Sequence, residues 1–376
     1  MNNHCVFYRT NLKYDGRVCA IIRTLAESFP EDKIYLYEYP LNNYYYKAFP
    51  PNVKIVKSKL IFGNKRVNHT VQQIKAFIYA INSLLFLIFK RPKTIQVHHE
   101  IVMYGPLVYK FLTKRNILVY DDKEMQIPRK KNTLKLRHHA EFKLINTSDL
   151  VIITNEYRRK ALFHLHQKNK IKNHIIVDNY VFEPDSKPVS KDTLKEMHIL
   201  KKQDKKILLH QGVINNIRGS ELLIKVAKEL AEDWVLCFIG VKPNLYNSFL
   251  QELPENAKSN IRNLGYIPYD ELNSFYKYVD SCVIFYLPTS FNNNYCAPNR
   301  LYSAVNNGIP LIVNSDNHTL SVFVQKNQNG IAINLESSLS KFFNQYQHFH
   351  KKAKKLVGKY EYNQIIPQLF EYYNKL

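Results

Sequence analysis

The segment Lys206–Leu223, with the sequence KILLHQGVINNIRGSELL, decides the fold. An apolar run ends at His210, Gly212 permits a tight turn, and an amphipathic pattern begins after Gly219. This order predicts a buried strand, a loop and a helix whose amino terminus lies beside Arg218. A guanidinium and the free N–H groups of a helix amino terminus both attract anions, so the segment is suited to hold a phosphate. Taken alone, it is equally compatible with an ordinary surface turn.

A second segment repeats this arrangement further along the chain. Ser281–Tyr286 (SCVIFY) is an apolar run, a polar loop follows, and Pro298 marks the first turn of a helix that carries Arg300. Ordinary helix capping is the alternative explanation. Between the two segments, Asn263–Pro268 (NLGYIP) offers backbone groups that could pair with the edge of a nucleobase.

The rest of the chain alternates apolar runs with helical patterns, which predicts parallel sheets covered by helices on both faces. A polar stretch at 184–194 is the expected linker. We therefore expect two doubly wound, Rossmann-like α/β domains at 1–183 and 195–358, facing across a cleft, and a C-terminal helix at 359–376 that packs back towards the first. Ligands of such sheets bind beyond the carboxyl ends of the strands, so the cleft is the expected site.

Composition excludes several classes of protein. The chain has 376 residues, 45% of them hydrophobic and 13% aromatic, which excludes a disordered chain. Its five cysteines are scattered, so we expect neither a zinc ribbon nor a disulfide scaffold, and a cytoplasmic setting. No G-x-G, D-x-D, H-E-x-x-H or G-x-S-x-G occurs, which argues against a dinucleotide fingerprint, a Walker A loop and a fixed metal. No signal peptide is expected.

The chain is strongly basic, with 54 Lys and Arg against 31 Asp and Glu and a net charge of +23. An anionic membrane surface, an anionic acceptor and a nucleic acid are the possible partners, but no nucleic-acid-binding motif is present. The uncharged run Ala76–Phe89 has fourteen residues, fewer than the ~20 that span a bilayer, so we expect a buried or interface-lying helix there. The basic residues cluster at Lys54–Lys59, Lys110–Arg115, Arg129–Arg137, Lys201–Lys206 and Lys351–Lys359.

Five segments of the second half follow one another at a characteristic spacing. They are G…R-G…E-L-L-I-K-V-A (212–227), F-I-G (238–240), L-G-Y-I-P-Y-D-E-L (264–272), Y-V-D-S-C-V-I-F (278–285) and A-P-N-R-L-Y-S-A-V-N-N-G-I-P-L-I-V (297–313). In order and distance they resemble glycosyltransferase group 1, or family 4, whose members are retaining enzymes of GT-B architecture. Weaker matches at 14–18, 119–124, 147–155 and 177–180 extend the resemblance into the first half.

The resemblance implies roles for single residues of the second domain. Arg218 would hold the diphosphate of the donor, and Arg300 would replace a second basic residue that this chain lacks near Gly212. Tyr295 and Ser303 stand where the family often has two glutamates that contact the sugar and the ribose. The full set expected to bind the donor is Gly212, Arg218, Tyr266, Ile267, Tyr295, Cys296, Ala297, Asn299, Arg300 and Ser303, joined by Gly16 from the first domain.

The same resemblance places Arg218, Arg300 and Glu124 among the catalytic residues. His99 is a further candidate because the pair His98-His99 and Glu100 form a polar cluster after an apolar run, although such a pair is more commonly structural. Lys123 stands where related sequences commonly have a histidine. Substitution would occur on one face of the anomeric carbon, and the departing diphosphate would take the proton of the acceptor. Positive charge at that diphosphate is the main requirement, so neither a fixed metal nor a cofactor is expected.

We therefore expect a glycosyltransferase that moves a sugar from a nucleotide-sugar donor to a growing cell-surface glycan, such as a capsule, a lipopolysaccharide or a teichoic-acid-like polymer. It would act in the cytoplasm at the inner face of the membrane, on a glycan or lipid-linked acceptor. Two alternatives remain open: a basic nucleic-acid-binding α/β protein, and a degenerate GT-B protein that binds glycans without turnover.

Overall fold

The chain forms two compact units. The first comprises Met1–Asp178 together with Tyr362–Leu376, and the second comprises Asn179–Glu361. Both are α/β units built on one parallel sheet, which confirms the fold class expected from the alternating pattern. The computed structural model describes residues 1–10, 12, 15–39, 49–58, 69–125, 136–166, 171, 173–180 and 186–375.

Seven strands form the sheet of the first unit. They are β1 (Asn3–Tyr8), β2 (Lys33–Glu38), β3 (Val53–Lys57), β4 (Thr94–Val97), β5 (Ile117–Asp122), β6 (Leu150–Ile153) and β7 (His174–Ile176). All neighbours pair in parallel, in the order β3-β2-β1-β4-β5-β6-β7. Because helices cover both faces, the central strands are buried along nearly their whole length, and even Thr94 and Gln96 of β4 are buried.

The helices of the first unit connect these strands. They are α1 (Gly16–Ser28), α2 (His69–Lys90), α3 (Tyr104–Thr113), α4 (Leu136–Thr147) and α5 (Glu156–His166), and α16 (Ile366–Asn374) joins the same unit from the end of the chain. The carboxylate of Asp15 caps α1 by accepting a hydrogen bond from Val18 N at 3.2 Å. Tyr373 on α16 is fully buried and donates to Gln96 Oε1 at 3.1 Å.

Helix α2 is longer than the apolar run that indicated it. It has 22 residues, and its stretch Gln73–Lys90 is apolar and long enough, by length and composition, to cross a membrane. The uncharged run Ala76–Phe89 is therefore part of a longer apolar helix, and the expectation of a buried or interface-lying helix stays a prediction. Only 22% of that stretch is buried in the structure, so most of its apolar surface lies outside the core.

Six strands form the sheet of the second unit. They are β8 (Lys206–Gln211), β9 (Trp234–Ile239), β10 (Ile261–Asn263), β11 (Ser281–Ile284), β12 (Leu311–Asn314) and β13 (Gly330–Ile333). They pair in parallel in the order β10-β9-β8-β11-β12-β13. Successive residues of β8 alternate between two apolar clusters, with Ile207 and Leu209 in one and Leu208 in the other. The core of this unit therefore lies on both faces of the sheet.

Ten helices are described in the second unit. They are α6 (Lys191–Lys202), α7 (Ser220–Lys228), α8 (Pro243–Gln251), α9 (Glu255–Lys258), α10 (Leu272–Tyr276), α11 (Phe291–Asn294), α12 (Asn299–Asn306), α13 (His318–Asn327), α14 (Ser340–Asn344) and α15 (Tyr346–Lys354). Helix α6 begins inside the stretch expected to be a linker, because Met197 and Leu200 pack into the core. Residues 184 and 185 of that stretch lie outside the described residues.

Candidate functional site

The loop after β8 builds the first part of the candidate site. Gly212 has φ +101°, a conformation that L side chains rarely adopt, and its N–H donates to Ile239 O at 2.9 Å. The neighbouring loop is tied in the same way, because Gly240 N donates to Gly265 O at 2.7 Å. The carboxyl ends of β8, β9 and β10 are thereby held together at one edge of the sheet.

Arg218 is placed by local geometry. It ends a short 3-10 helix, Asn216–Arg218, and its N–H donates to Asn215 Oδ1 at 2.9 Å. Gly219 follows with φ +68°, and a Cβ at that position would lie only 2.9 Å from the Cβ of Phe285. This tight turn directs the arginine towards the end of β11, where its guanidinium carbon lies 3.6 Å from the centroid of the Tyr286 ring.

Arg300 reaches the same aromatic ring from the other predicted segment. It lies in the first turn of α12, and its guanidinium carbon is 4.8 Å from the Tyr286 centroid. Nη2 donates to Phe285 O at 3.2 Å, and Nη1 donates to the main-chain oxygen of Gln211. Its Nε is buried and has no hydrogen-bond partner among the described residues. The structure thus brings together the two arginines that the sequence singled out 82 positions apart.

Tyr286 was not expected from the sequence, yet it is the centre of the site. Its main chain is fixed by Asn314, which is fully buried: Tyr286 N donates to Asn314 Oδ1 at 2.8 Å, and Asn314 Nδ2 donates back to Tyr286 O at 3.0 Å. Gln211 is held in turn by the hydroxyl of Tyr276, which donates to its Oε1 at 2.6 Å. An aromatic residue that ends an apolar strand carries no sequence signal distinguishing it from a core residue.

The electrostatics of the site favour an anion. Two guanidinium charges over one ring repel each other, and the electron-rich face of the ring offsets only part of this repulsion. The buried His210 adds no positive charge, because burial and the nearby Arg300 lower the pKa of its imidazole to about 3. A bound diphosphate would neutralise both arginines, and their planar donors match its oxygens.

The residues expected to border the base differ in exposure. Tyr266 is 66% exposed in the loop after β10, where its ring is accessible to a ligand. Ile267 is only 5% exposed and packs in the core, so its main chain alone is available for contact.

Most of the residues expected to bind the donor at 295–303 are buried or half-buried. Cys296 and Ala297 are buried, and their carbonyl groups accept hydrogen bonds from Asn317 Nδ2 at 3.4 Å and Asn179 Nδ2 at 3.0 Å. Tyr295 is half-buried and stacks on a neighbouring phenylalanine. Asn299 is exposed at the start of α12, and Ser303 is half-buried in its middle.

A cavity of about 330 Å³ opens beside the amino terminus of α7. Its wall includes Gly219 and Ser220, next to Arg218, and three carboxylates, from Glu221, Asp316 and Glu336. These carboxylates would repel a diphosphate. The wall of this cavity is therefore less suited to a diphosphate than the surroundings of Tyr286.

The first unit has its own polar cluster, at the carboxyl ends of β1, β4 and β5. Gly16 is buried at the start of α1, behind Asp15, whose carboxylate forms an ion pair with Lys123. Arg17 binds Asp121 through Nη2 at 2.6 Å, and His98 Nδ1 lies 2.9 Å from the other oxygen of the same carboxylate. Burial opposes ionisation of Asp121, but Arg17 and His98 outweigh it and lower the pKa of Asp121.

The two residues of this unit that were expected to be catalytic lie at the edge of that cluster. His99 is partly exposed, and its Nδ1 lies 2.8 Å from Glu100 Oε2 and accepts a hydrogen bond from Ile101 N at 3.2 Å. Glu124 is exposed just after β5. The network of Arg17, His98 and Asp121 beside them was not expected, because its members are far apart in sequence.

Asp122 is the most unusual carboxyl group of the first unit. It is fully buried, and neither of its oxygens has a hydrogen-bond partner among the described residues. Burial raises the pKa of Asp122 to about 6, and the charge of Asp121 adds to this effect while Arg158 opposes it. In the described part of the chain, no group of three His, Cys, Asp or Glu side chains is arranged to hold a metal ion.

Comparison with known proteins identifies the second unit. The family model described as glycosyl transferases group 1 matches residues 192–357. The match covers 166 of the 376 residues, and it falls within the second unit. This match confirms both the resemblance and the enzyme class expected from the sequence. No curated protein matches the chain significantly.

Solved structures show that the whole chain has the GT-B fold. Sucrose-phosphate synthase from Thermosynechococcus elongatus is similar with a TM-score of 0.73 at 12% identity, over 100% of this chain and 99% of that chain. Anabaena HepE, in complex with UDP, has a TM-score of 0.67 at 12% identity, over 100% of both chains. A glycosyltransferase from Rickettsia africae has a TM-score of 0.66 at 10% identity, over 100% and 98%.

Proposed function

We propose that this group 1 glycosyltransferase binds the diphosphate of a nucleotide-sugar donor between Arg218 and Arg300. The observation that carries the proposal is the placement of both guanidinium groups over the ring of Tyr286. The solved structure of HepE contains UDP, which supports a uridine nucleotide as the first donor to test. Tyr266, exposed after β10, is the residue we propose to border the base.

The same two arginines account for the chemistry. Breaking the bond between the sugar and the diphosphate builds negative charge on the departing oxygen, and fixed positive groups stabilise that transition state. The departing phosphate takes the proton of the acceptor hydroxyl, so substitution proceeds with retention and needs no carboxylate base. We propose that Arg218 and Arg300 supply the positive charge and that the protein requires no bound metal or other cofactor. Glu124 and His99 would contact the acceptor or the sugar.

The proposed acceptor is a growing cell-surface glycan, such as a capsule, a lipopolysaccharide or a teichoic-acid-like polymer, free or linked to a lipid. The net charge of +23 favours an anionic acceptor and attachment to the inner face of the cell membrane, from the cytoplasm. No nucleic acid is required as a partner.

The donor site is tested by thermal unfolding with UDP, GDP, CMP, ADP and TDP. A ligand at ~100 times its dissociation constant adds about 2.7 kcal/mol to the free energy of unfolding, which raises the Tm by several degrees. We expect one diphosphate to raise the Tm of the wild type and of Arg115→Ala, an exposed control. The same nucleotide should have little effect on Arg218→Ala or Arg300→Ala.

Two outcomes would contradict the assignment of the diphosphate site to Arg218 and Arg300. Equal shifts in all four proteins would place the diphosphate elsewhere. No shift with any nucleotide, together with tight RNA or DNA binding that weakens steeply with salt, would favour the nucleic-acid-binding alternative. Donor turnover in the presence of an acceptor separates an active transferase from a degenerate binding protein, because the latter would show the shift and no product.

A further inference from the structure

Helices α2 and α3 concentrate the exposed apolar surface of the molecule. Among the described residues, 17 large hydrophobic side chains are exposed, and nine of them lie on these two helices. On α2, Ile74, Phe77, Ile81, Leu85 and Ile88 follow one another at spacings of three or four residues, so they share one face. Phe89, at the end of the same helix, is 79% exposed.

The opposite face of α2 is firmly packed on its own unit. Lys75, Tyr79, Ser83 and Leu87 are buried at intervals of four residues. The hydroxyl of Tyr79 donates to Tyr37 O at 3.2 Å. Crossing a bilayer would expose this packed face to lipid and break its contacts. The helix is therefore held on the surface of the first unit with one apolar face outwards.

Helix α3 packs beside α2 and adds to its exposed apolar surface. A Cβ at Gly105, near its start, would lie 2.0 Å from Ser83 Oγ, so the two helices are in close contact there. Val108, Phe111 and Leu112 on α3 are exposed, the last two by 68% and 64%. We call the exposed apolar residues of α2 and α3 the apolar face.

Basic residues border the apolar face where both helices end. Arg91 and Lys93 follow α2, Lys114 and Arg115 follow α3, and all four are exposed. The two loops are adjacent, because Ile117 N donates to Lys93 O at 2.8 Å. One of the five basic clusters of the sequence, Lys110–Arg115, lies here; the side chains of another, Arg129–Arg137, lie outside the described residues.

We propose that the apolar face inserts into the boundary between the headgroups and the acyl chains of an anionic membrane, while these basic residues contact the lipid phosphates. An exposed apolar stripe beside a row of Lys and Arg is the combination that lies in such a boundary. A second copy of the chain would present the same positive charge, whereas anionic lipid supplies the opposite one. This proposal rests on the membrane attachment proposed above and assigns it to a surface of the first unit. Its test needs no donor, so its failure would leave the donor assignment untouched.

The test is flotation of the purified full chain, prepared without detergent, with vesicles of phosphatidylcholine alone or with 30% phosphatidylglycerol. We expect binding to the anionic vesicles and much less to the neutral ones. Replacing three exposed side chains of the apolar face, Phe77→Gln, Phe89→Gln and Phe111→Gln, should weaken binding by at least about tenfold. The pair Lys114→Gln and Arg115→Gln should weaken binding to anionic vesicles by about tenfold.

Control variants replace the same number of exposed apolar or basic side chains by glutamine on other surfaces. Ile199→Gln with Val357→Gln and Phe370→Gln is the apolar control, and Lys228→Gln with Lys277→Gln is the basic control. Both should bind as the wild type does. Equal binding of test and control variants, or no binding by the folded wild type, would overturn the proposal. A dimer that dissociates in the Phe variant, without vesicle binding by the wild type, would assign the face to a second copy instead.

Discussion

The residue with the clearest measurable consequence is Asp122, a buried carboxyl group with a raised pKa in the first unit. The unfolded chain releases this proton near pH 3.8 and the folded chain near pH 6. Between these pH values the folded state binds more protons at Asp122 than the unfolded state does, so stability falls as the pH rises. The protonated Asp122 makes its full contribution to the free energy of unfolding below pH 3.8. This contribution is lost as the pH rises to about 6, at up to ~1.4 kcal/mol per pH unit.

Asp122→Asn removes that dependence. We expect the Tm of the wild type to fall relative to the variant as the pH is raised from 4.5 to 7.5, because only the wild type must then bury a charge. Differential scanning calorimetry at several pH values measures the difference. Asp316→Asn, at an exposed position, is the control and should follow the wild type throughout. A constant difference between the wild type and Asp122→Asn would show that Asp122 does not titrate in this range.

At the scale of single elements, the turn from β8 into α7 shows how the backbone fixes the arginine. Gly219 combines φ +68° with a close approach to Phe285, whereas Gly265 has φ +74° and open space around its missing Cβ. An alanine at either site lowers the free energy of unfolding by about 1–2 kcal/mol, because it must adopt a left-handed backbone conformation. Only Gly219→Ala also pushes against the end of β11, so it should lower the free energy of unfolding by more than Gly265→Ala does. Urea denaturation of the two variants makes the comparison, and equal losses would contradict the close packing described here.

The elements that could be predicted are those with a continuous apolar run. The strand that ends near His210, the helix after Gly219 and the strand from Ser281 were predicted close to their observed limits, because burial on both faces leaves an unbroken apolar pattern. Helix α5 was missed: its sequence EYRRKALFHLH lacks an apolar stripe. The first four residues of α6 were taken for part of a linker, since the preceding residues contain two prolines and many charges.

Of the candidate site, the sequence predicted the residues that stand in local strand–loop–helix segments and missed those that meet only in the folded chain. Arg218 and Arg300 follow strands in recognisable strand–loop–helix segments, so local sequence identifies them. Local sequence does not identify Tyr286 or Asn314, because the contacts of Tyr286 with Arg218 and with Asn314 form only in the folded chain. The pairing of Arg17 with Asp121 joins positions 104 residues apart, and no local pattern reveals it.

At the scale of the whole molecule, the end of the chain belongs to the first unit. Leu369 and Tyr373 on α16 are fully buried there. Tyr373→Ala should therefore destabilise the first unit by ~3–5 kcal/mol, although the substitution is three residues from the end of the sequence. Hydrogen exchange should speed up in β4 and β5 and stay unchanged in β8 and β9. Phe370→Ala, an exposed position on the same helix, is the control; acceleration in both units would refute a local effect.

The return of α16 also sets an order for biosynthesis. A ribosome translating this chain completes residues 179–361 before it reaches the helix that the first unit still lacks. The nascent first unit must therefore wait until all of the second unit has been synthesised, with the surface that receives Leu369 and Tyr373 uncovered. Premature termination after Glu361 would release a polypeptide with an intact second unit and an unfinished first one, a natural substrate for chaperones and proteases.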